Sequence, residues 1–532
     1  MKCKVKGVVK QPMFWADSIA KEAPLSNGAK KHVVGDGKTP SGRIHVGSLR
    51  GVVTHDAIYR ALLDAGKEAE FVYRFDDYDA LDAVPAYLPP EYCEHLGKPL
   101  SEIPSPEPGF RSYGAFFALE FQSAFEKLGC HPRVEWASED YKGGKMNAVL
   151  KEAMEKAEII REINARVSAA KKADGWLPIH AVCEKCGRIS TTQSRNFDGE
   201  TVEYACTSAR YVKGCGHAGR RSPFNGGAKL TWKAHWAAQF KVYGITIEGE
   251  GKDLATVGGA RDATNEVCRK VFNYEPPYDL PYEFFLVGGK KMSTSKGTGM
   301  SAREIAEFLS PEVLRFLLAR YKPRTAINFS PEGETVPKLY DDFDSFAEAH
   351  FRRREPRDPD EPRIYELSSV RHAKPGDFLK PPFPLVAYLI QVPHIDVVKV
   401  FNDRKGTPLT LEELACLQER VRVARLWLEK FAGEEFKFRL IEHAEAIKKF
   451  HSLPAGAQRA LHEFSEFFAQ TNDEAAQANK IREVCEKHGI SVQDFYKAAY
   501  AITIGKEKGP KLLPFISSLE RPFVVQRFMG VV

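Results

Sequence analysis

The sequence predicts an α/β protein: a doubly wound parallel sheet that carries a cysteine-bearing insertion, followed by an all-α C-terminal third. Three observations predict it. A strand, loop, helix and second strand occupy residues 31–75, and that order is the repeating unit of a parallel sheet with crossover helices. Further strand candidates at 132–138, 242–249 and 282–287 are separated by a long charged stretch and a cysteine cluster. From Ser301 onward the apolar residues recur at helical spacing.

Taken in order, KHVVGDG (31–37) reads as a short buried strand ending in glycine, and Thr39-Pro40-Ser41-Gly42 as a loop. Leu49 to Ala65 reads as a helix with Val52, Val53, Ile58, Ala61 and Leu62 on its apolar side and Gly66 as its stop. Glu70 to Phe75 is a second strand, running into the acidic Asp76-Asp77-Tyr78-Asp79. A charged helix at about 145–173 and the cysteines at 183–217 look like part of an insertion spanning about 85–230. YEFFLV (282–287) reads as the last core strand of a sheet domain covering 1–300. Residues 301–350 form a connecting segment and 351–532 a helical domain, with the proline-rich FRRREPRDPDEPR (351–363) as a linker. Helices start at the capping box Thr410-Leu411-Glu412-Glu413 and after Asn472-Asp473 and Ser491.

A chain of 532 residues, 43% hydrophobic and 28% charged, excludes a disordered tail, a collagen-like chain or a disulfide-knotted miniprotein. The charge sum of +6 would suit a polyanionic partner, but on charge alone it favours an ordinary soluble enzyme with no nucleic-acid contact. MKCKVKGVVKQPMFW lacks the apolar core of a signal peptide, and no stretch of about 18 apolar residues suggests a membrane span. Scattered cysteines favour a reducing cytoplasm.

Thr39 to Ser48 lies between a strand and a helix. Free N–H groups and the positive dipole end at such a helix start suit phosphate. His45 can donate to phosphoryl oxygens as charge builds, and Gly47 lets a nucleotide approach the backbone. A plain turn with a capping histidine gives the same short triplet. Lys290-Lys291-Met292-Ser293-Thr294-Ser295-Lys296-Gly297 follows the last strand candidate. Its lysines can neutralise a triphosphate, or be a solvated basic loop. Cys183 and Cys186 form a C-x2-C knuckle, followed by Cys206 and by Cys215-Gly216-His217. Four thiolates enclose one tetrahedral zinc and leave no position for substrate, so such a site is structural. Cys183, Cys186, Cys206 and Cys215 are the simplest set, with His217 as a substitute fourth ligand and reduced free thiols as the alternative. Cys3, Cys93, Cys130, Cys268, Cys416 and Cys485 show no ligand spacing.

Together the two motifs resemble the paired signatures of class I aminoacyl-tRNA synthetases, HVGS standing for HIGH and KMSTS for KMSKS. The flanking TPSGRIHVGSLRG, FDDYDALDAVP, AKLTWKAHW, GKD with GGARD, LPYEFF, KKMSTSKG and SPEVLRFLLAR narrow the resemblance to the class I lysyl-tRNA synthetases, from about Trp15 to about Asp344. The resemblance implies a Rossmann-like catalytic domain that activates lysine with ATP and Mg2+, then transfers it to the 2′-hydroxyl of the terminal adenosine of tRNA(Lys), with tRNA bound during activation. It implies ATP contacts from Thr39, His45, Gly47, Ser48, Lys291, Met292, Ser293 and Ser295, with His45, Ser48, Lys291 and Lys296 catalytic; Thr294 stands where the general class has lysine. It places Gly37, Thr39, Trp232, Leu254 and Tyr282 in the lysine pocket. Leu254 stands where the family usually has histidine, and His235 where it tends to have an acid.

A substrate ammonium needs a carboxylate, and Asp17, Asp76, Asp77, Asp79 and Glu283 are available. Some members carry a second metal site where Ile103–Arg111 stands here without ligands, so one zinc is expected. The C-terminal helices would form an anticodon-binding domain like the helical cage of glutamyl-tRNA synthetases. Arg420, Arg422, Arg425 and Trp427 share a helix that either faces RNA or is ordinarily amphipathic. A monomer is expected. The alternatives are a class I synthetase for another amino acid and a non-catalytic tRNA-binding paralogue.

Overall fold

The computed structural model describes residues 13–168, 172–289, 300–370, 380–392, 395–509 and 511–531. The chain divides into two compact units, Met1–Phe329 with Ala349–His372, and Ser330–Glu348 with Ala373–Val532.

The first unit is built on a five-stranded sheet whose ordered neighbours are Tyr278–Asp279, Ile247–Glu248, His32–Lys38, Ala69–Phe75 and Arg133–Trp136. Every pairing is parallel. The first two strands run in register from His32 opposite Ala69 to Lys38 opposite Phe75. Numbered along the chain, the order is 3-2-1-4-5, so the direction of winding reverses between His32–Lys38 and Ile247–Glu248. In open α/β sheets the crevice beyond that reversal is where ligands bind. His32 to Asp36 are all buried, as a central strand covered on both faces requires. The following helix, Val46–Asp64, buries Leu49, Val52, Val53, Ala57, Ile58, Ala61 and Leu62. It starts before the predicted Leu49 because its first turn, Val46-Gly47-Ser48, carries too few apolar residues to show a period.

Several expectations are corrected. Only Ile247–Glu248 of the 242–249 run is strand. Residues up to Tyr243 belong to the helix Trp232–Tyr243, which ends at Gly244 in the left-handed conformation (φ 66°). The charged helix is two helices, Asn147–Glu155 and Ala157–Ser168. The strand Arg133–Trp136 falls inside 85–230, so that stretch is not one continuous insertion. YEFFLV yields a strand only at Phe285–Val287, which pairs with Ile327–Phe329 and takes no place in the main sheet. The buried Arg50 guanidinium explains this. It donates to the carbonyls of Glu283 (2.7 Å), Pro323 (2.9 Å) and Thr325 (2.7 Å), clamping the two segments together. The expected linker carries a helix, Glu361–Ser368, with Ile364, Tyr365 and Leu367 buried. Its Arg363 pairs with Asp17 at 2.8 Å and Asp64 at 2.7 Å.

The second unit is helical. Ala455–Phe468, Glu474–His488, Val492–Thr503 and Arg521–Met529 surround a core containing Phe464, Phe468, Phe495, Phe515 and Phe528. The Thr410–Glu413 capping box forms, and Asp473 and Ser491 cap their helices. On the helix Leu411–Lys430, Arg420 and Trp427 turn inward rather than toward a ligand. Arg420 pairs with Asp344, and the Trp427 indole N–H donates to the Pro331 carbonyl at 3.0 Å. Among the described residues no helix is long and apolar enough to cross a membrane.

Candidate active site

A cavity of about 580 Å3 opens at the carboxyl ends of the parallel strands, beside the reversal of winding. One wall is the loop after the first strand. Thr39, Ser41, His45, Gly47 and Ser48 line it, and the helix Val46–Asp64 starts there. His45 is the N-cap in extended conformation, and its side chain makes no capping bond. The first turn of that helix borders the cavity at Gly47 and Ser48, with Val46 N–H donating to the Met300 carbonyl and Ser48 N–H to the His45 carbonyl at 3.0 Å.

Among the expected site residues, Gly37, Thr39, His45, Gly47, Ser48, Trp232, Leu254 and Tyr282 all line this cavity. Trp232 is 46% exposed and stacks on Trp236, with ring centroids 6.0 Å apart and planes at 16°. Tyr282 reaches inward over Gly51. A β-carbon at Gly51 would stand 2.8 Å from the Tyr282 hydroxyl and 3.1 Å from Asp36 Oδ2, so any larger residue would push the Tyr282 hydroxyl from this position. Burial, reinforced by Asp36, holds the Tyr282 hydroxyl in its neutral form.

Lys291, Met292, Ser293, Ser295 and Lys296 lie outside the described residues. The chain before them lines the cavity at Phe285, and the chain after them pairs with the start of the helix Val46–Asp64. Met300 accepts from Val46 N–H at 3.1 Å, Ser301 bridges His45, and Ala302 N–H donates to Ile44 at 2.8 Å.

The cavity is rich in carboxylates. Asp36, Asp76, Asp82, Glu248, Glu250, Asp253 and Glu283 line it, against Lys38 and Arg74 as lining Lys and Arg residues. Of the expected ammonium acceptors, only Asp76 and Glu283 are on the wall. Glu283 pairs with Lys252 at 2.6 Å. Asp17 pairs with Arg363. Asp79 lies 3.3 Å from Lys229. Asp77 accepts from Ser138 N–H and Oγ–H and is pushed up to about 6 by burial.

Sequence reading missed Glu248 and Glu250. Glu248 is held by Arg74 and by the Trp236 indole N–H at 2.7 Å. Glu250 is 3% exposed, and neither carboxylate oxygen has a hydrogen-bond partner, although Arg261 lies 3.2 Å away. Burial pushes it up to about 9. The available signal was position: both acids sit at the end of a strand adjoining the winding reversal.

The cysteine expectation is met in geometry. Sγ atoms of Cys183, Cys186, Cys206 and Cys215 lie within 4.8 Å of one another, with 183 to 215 at 3.6 Å and 186 to 206 at 3.7 Å. These separations are too long for disulfides and close to the edge of about 3.8 Å that four sulfurs at 2.3 Å from one zinc would define. His217 is not part of the cluster; its carbonyl accepts from Cys206 N–H at 2.8 Å.

A helix start beside an acid-lined hollow at the winding reversal is where open α/β sheets bind their ligands. The family model for class I (K) tRNA synthetases matches residues 13–371, and the chain belongs to that family. A lysine--tRNA ligase of Methanosarcina barkeri is 36% identical over 536 residues, covering 97% of both chains. That of Archaeoglobus fulgidus is 35% identical, covering 97% of this chain and 99% of its own. Among solved structures, a glutamate tRNA ligase from Elizabethkingia meningosepticum covers 94% of this chain and 98% of its own, at 13% identity and a TM-score of 0.42.

Proposed function

We propose that the chain is an ATP-dependent lysine–tRNA ligase. The observation that carries the reading is the cavity itself. It joins the helix start at His45–Ser48 to a pocket holding Trp232, Leu254, Tyr282 and the buried carboxylate of Glu250, which makes no hydrogen bond and faces Arg261 at 3.2 Å. The lysine carboxylate attacks the α-phosphorus of ATP, the bond to the β-phosphate breaks, and pyrophosphate leaves. The 2′-hydroxyl of the terminal adenosine of tRNA(Lys) then attacks the adenylate carbonyl and AMP departs. Gly47, Ser48 and Thr39 border the phosphates, and His45 donates to the phosphoryl oxygens as charge builds on them. Lys291 and Lys296 neutralise the leaving pyrophosphate, with Met292, Ser293 and Ser295 in the same nucleotide contact, and Mg2+ travels with ATP.

Trp232 and Tyr282 flank the lysine side chain, Gly37 keeps the strand end open, and Leu254 adds apolar wall along the methylenes. Glu250 receives the side-chain ammonium. Its raised basicity makes it neutral in the empty cavity, and an arriving cation restores its charge. The four cysteines hold one structural zinc. The sheet unit is catalytic, the helical unit reads the anticodon, and the enzyme works as a cytoplasmic monomer.

Aminoacylation of a lysine-accepting tRNA, with ATP–pyrophosphate exchange measured in its presence, tests the reading. Lysine-dependent exchange and charging are expected. Exchange with another amino acid but not lysine, or tRNA binding with neither reaction, would reject it.

A further inference from the structure

His235 is a buried histidine whose Nε2 makes no hydrogen bond within the protein. It sits on the helix Trp232–Tyr243 and lines the cavity while only 3% exposed. Its Nδ1 is 3.0 Å from the Tyr141 hydroxyl. That hydroxyl already accepts from Leu230 N–H at 3.1 Å, and Tyr141 is fully buried. If Nδ1 carried the imidazole proton, Tyr141 would have to accept twice and leave its own proton buried without an acceptor, which is costly. Tyr141 therefore donates to Nδ1, and the imidazole proton sits on Nε2. Burial, with Lys229 next, lowers the basicity of the ring well below the ordinary value, so the ring is neutral.

Nε2 has no hydrogen-bond partner. The nearby oxygen, Asp76 Oδ2, is 3.5 Å away and already accepts from Lys229 at 2.7 Å. Asp76 Oδ1 also has no partner. A buried donor and a buried acceptor thus stand side by side on a cavity wall, both unsatisfied by protein.

We propose that His235 Nε2–H binds the carboxylate of the substrate amino acid, with Asp76 Oδ1 accepting from its α-ammonium and Tyr141 fixing the histidine tautomer. The assignment rests on the lysine-activating reading above. Lysine has two ammonium groups, which only donate, and one carboxylate, its only acceptor. A neutral donor in the amino-acid pocket therefore has one substrate group to hold. Glu250 takes the side-chain end, which leaves the zwitterionic head for His235 and Asp76. Tyr141 does not touch substrate; it is a positioning residue.

The test uses the full chain and three variants: His235→Phe, which removes the donor, His235→Gln, which keeps one at similar reach, and Tyr141→Phe. In tRNA-dependent exchange, His235→Phe should raise KM for lysine by about tenfold or more, and His235→Gln should recover most of that loss. KM for ATP should not move. Inhibition by 1,5-diaminopentane, which lacks the carboxylate, should be the same in all four proteins. Nitrogen-15 spectra of the imidazole should report a protonated Nε2 in the parent chain and a mixed tautomer in Tyr141→Phe. An unchanged lysine KM in His235→Phe overturns the proposal. So does an equal loss for lysine and the diamine, which would mean general pocket damage, or a rise in the ATP KM alone, which would hand the donor to the nucleotide. Absence of lysine-dependent exchange in the parent chain would instead defeat the underlying ligase reading.

Discussion

His45 caps its helix through its backbone, and its side chain is not spent on the cap. His45→Ala should therefore leave the helix start intact and act on the chemistry. Adenylate formation should slow by about 100-fold or more, while tRNA affinity, read by filter binding, stays within about twofold. Unchanged turnover would remove the residue from the mechanism. Glu250 makes a different prediction, about stability. Its folded value is about 9 against an ordinary 4.5. Below pH 4.5 both folded and unfolded chains hold the proton, and the contribution is fully present. As pH rises toward 9 the unfolded chain releases it first, so stability falls across that window. Glu250→Gln cannot ionise. Calorimetric melting between pH 5 and 9 should show the parent losing at least about 1 kcal/mol more than the variant, and parallel curves would count against a buried, raised carboxyl. Residue-scale legibility followed motif strength. His45, Gly47 and Ser48 stood out because they cluster in a short motif between a strand and a helix. Glu250 did not, because one acid between two glycines looks like any loop until the sheet order puts it at the winding reversal.

At the scale of elements, the strand His32–Lys38 and its helix were readable because burial on both faces writes a continuous apolar run. The errors came where tertiary contacts override the local pattern. VYGITIEG reads as one strand, yet its first residues finish a helix whose buried face includes Trp236 and Phe240. YEFFLV reads as a core strand, yet Arg50, far away in sequence, draws it onto Ile327–Phe329. The knuckle strands are also held from a distance. Cys183 and Cys206 share a small core with Ala181 and Tyr204. Cys183→Ser should lower bound zinc, measured by elemental mass spectrometry, and reduce the thermal midpoint. Full metal occupancy in that variant would show that another ligand set operates.

At the scale of the whole molecule, two units of different architecture share one chain, and the second could be read only as a helical pattern. Its helix starts were legible from Thr410, Asp473 and Ser491, since capping is a local interaction. The direction its faces point was not, because Arg420 is basic in sequence and buried in structure. Its partner Asp344 comes from the segment Ser330–Glu348, so the ion pair ties that early piece of chain to the later helices of the same unit. Arg420→Leu strands Asp344 and should cost about 3 kcal/mol, seen as an earlier transition in urea for probes in this unit. A transition at unchanged urea would mean that Asp344 finds other partners.

Lys229 belongs to the strand Ala228–Leu230, whose antiparallel mate Ile179–Ala181 runs directly into the cysteine knuckle. The same lysine neutralises Asp76 on the cavity wall. Thiol oxidation in the knuckle is therefore expected to register as poorer amino-acid capture before it registers as unfolding, which would couple charging capacity to the redox state of the surrounding medium.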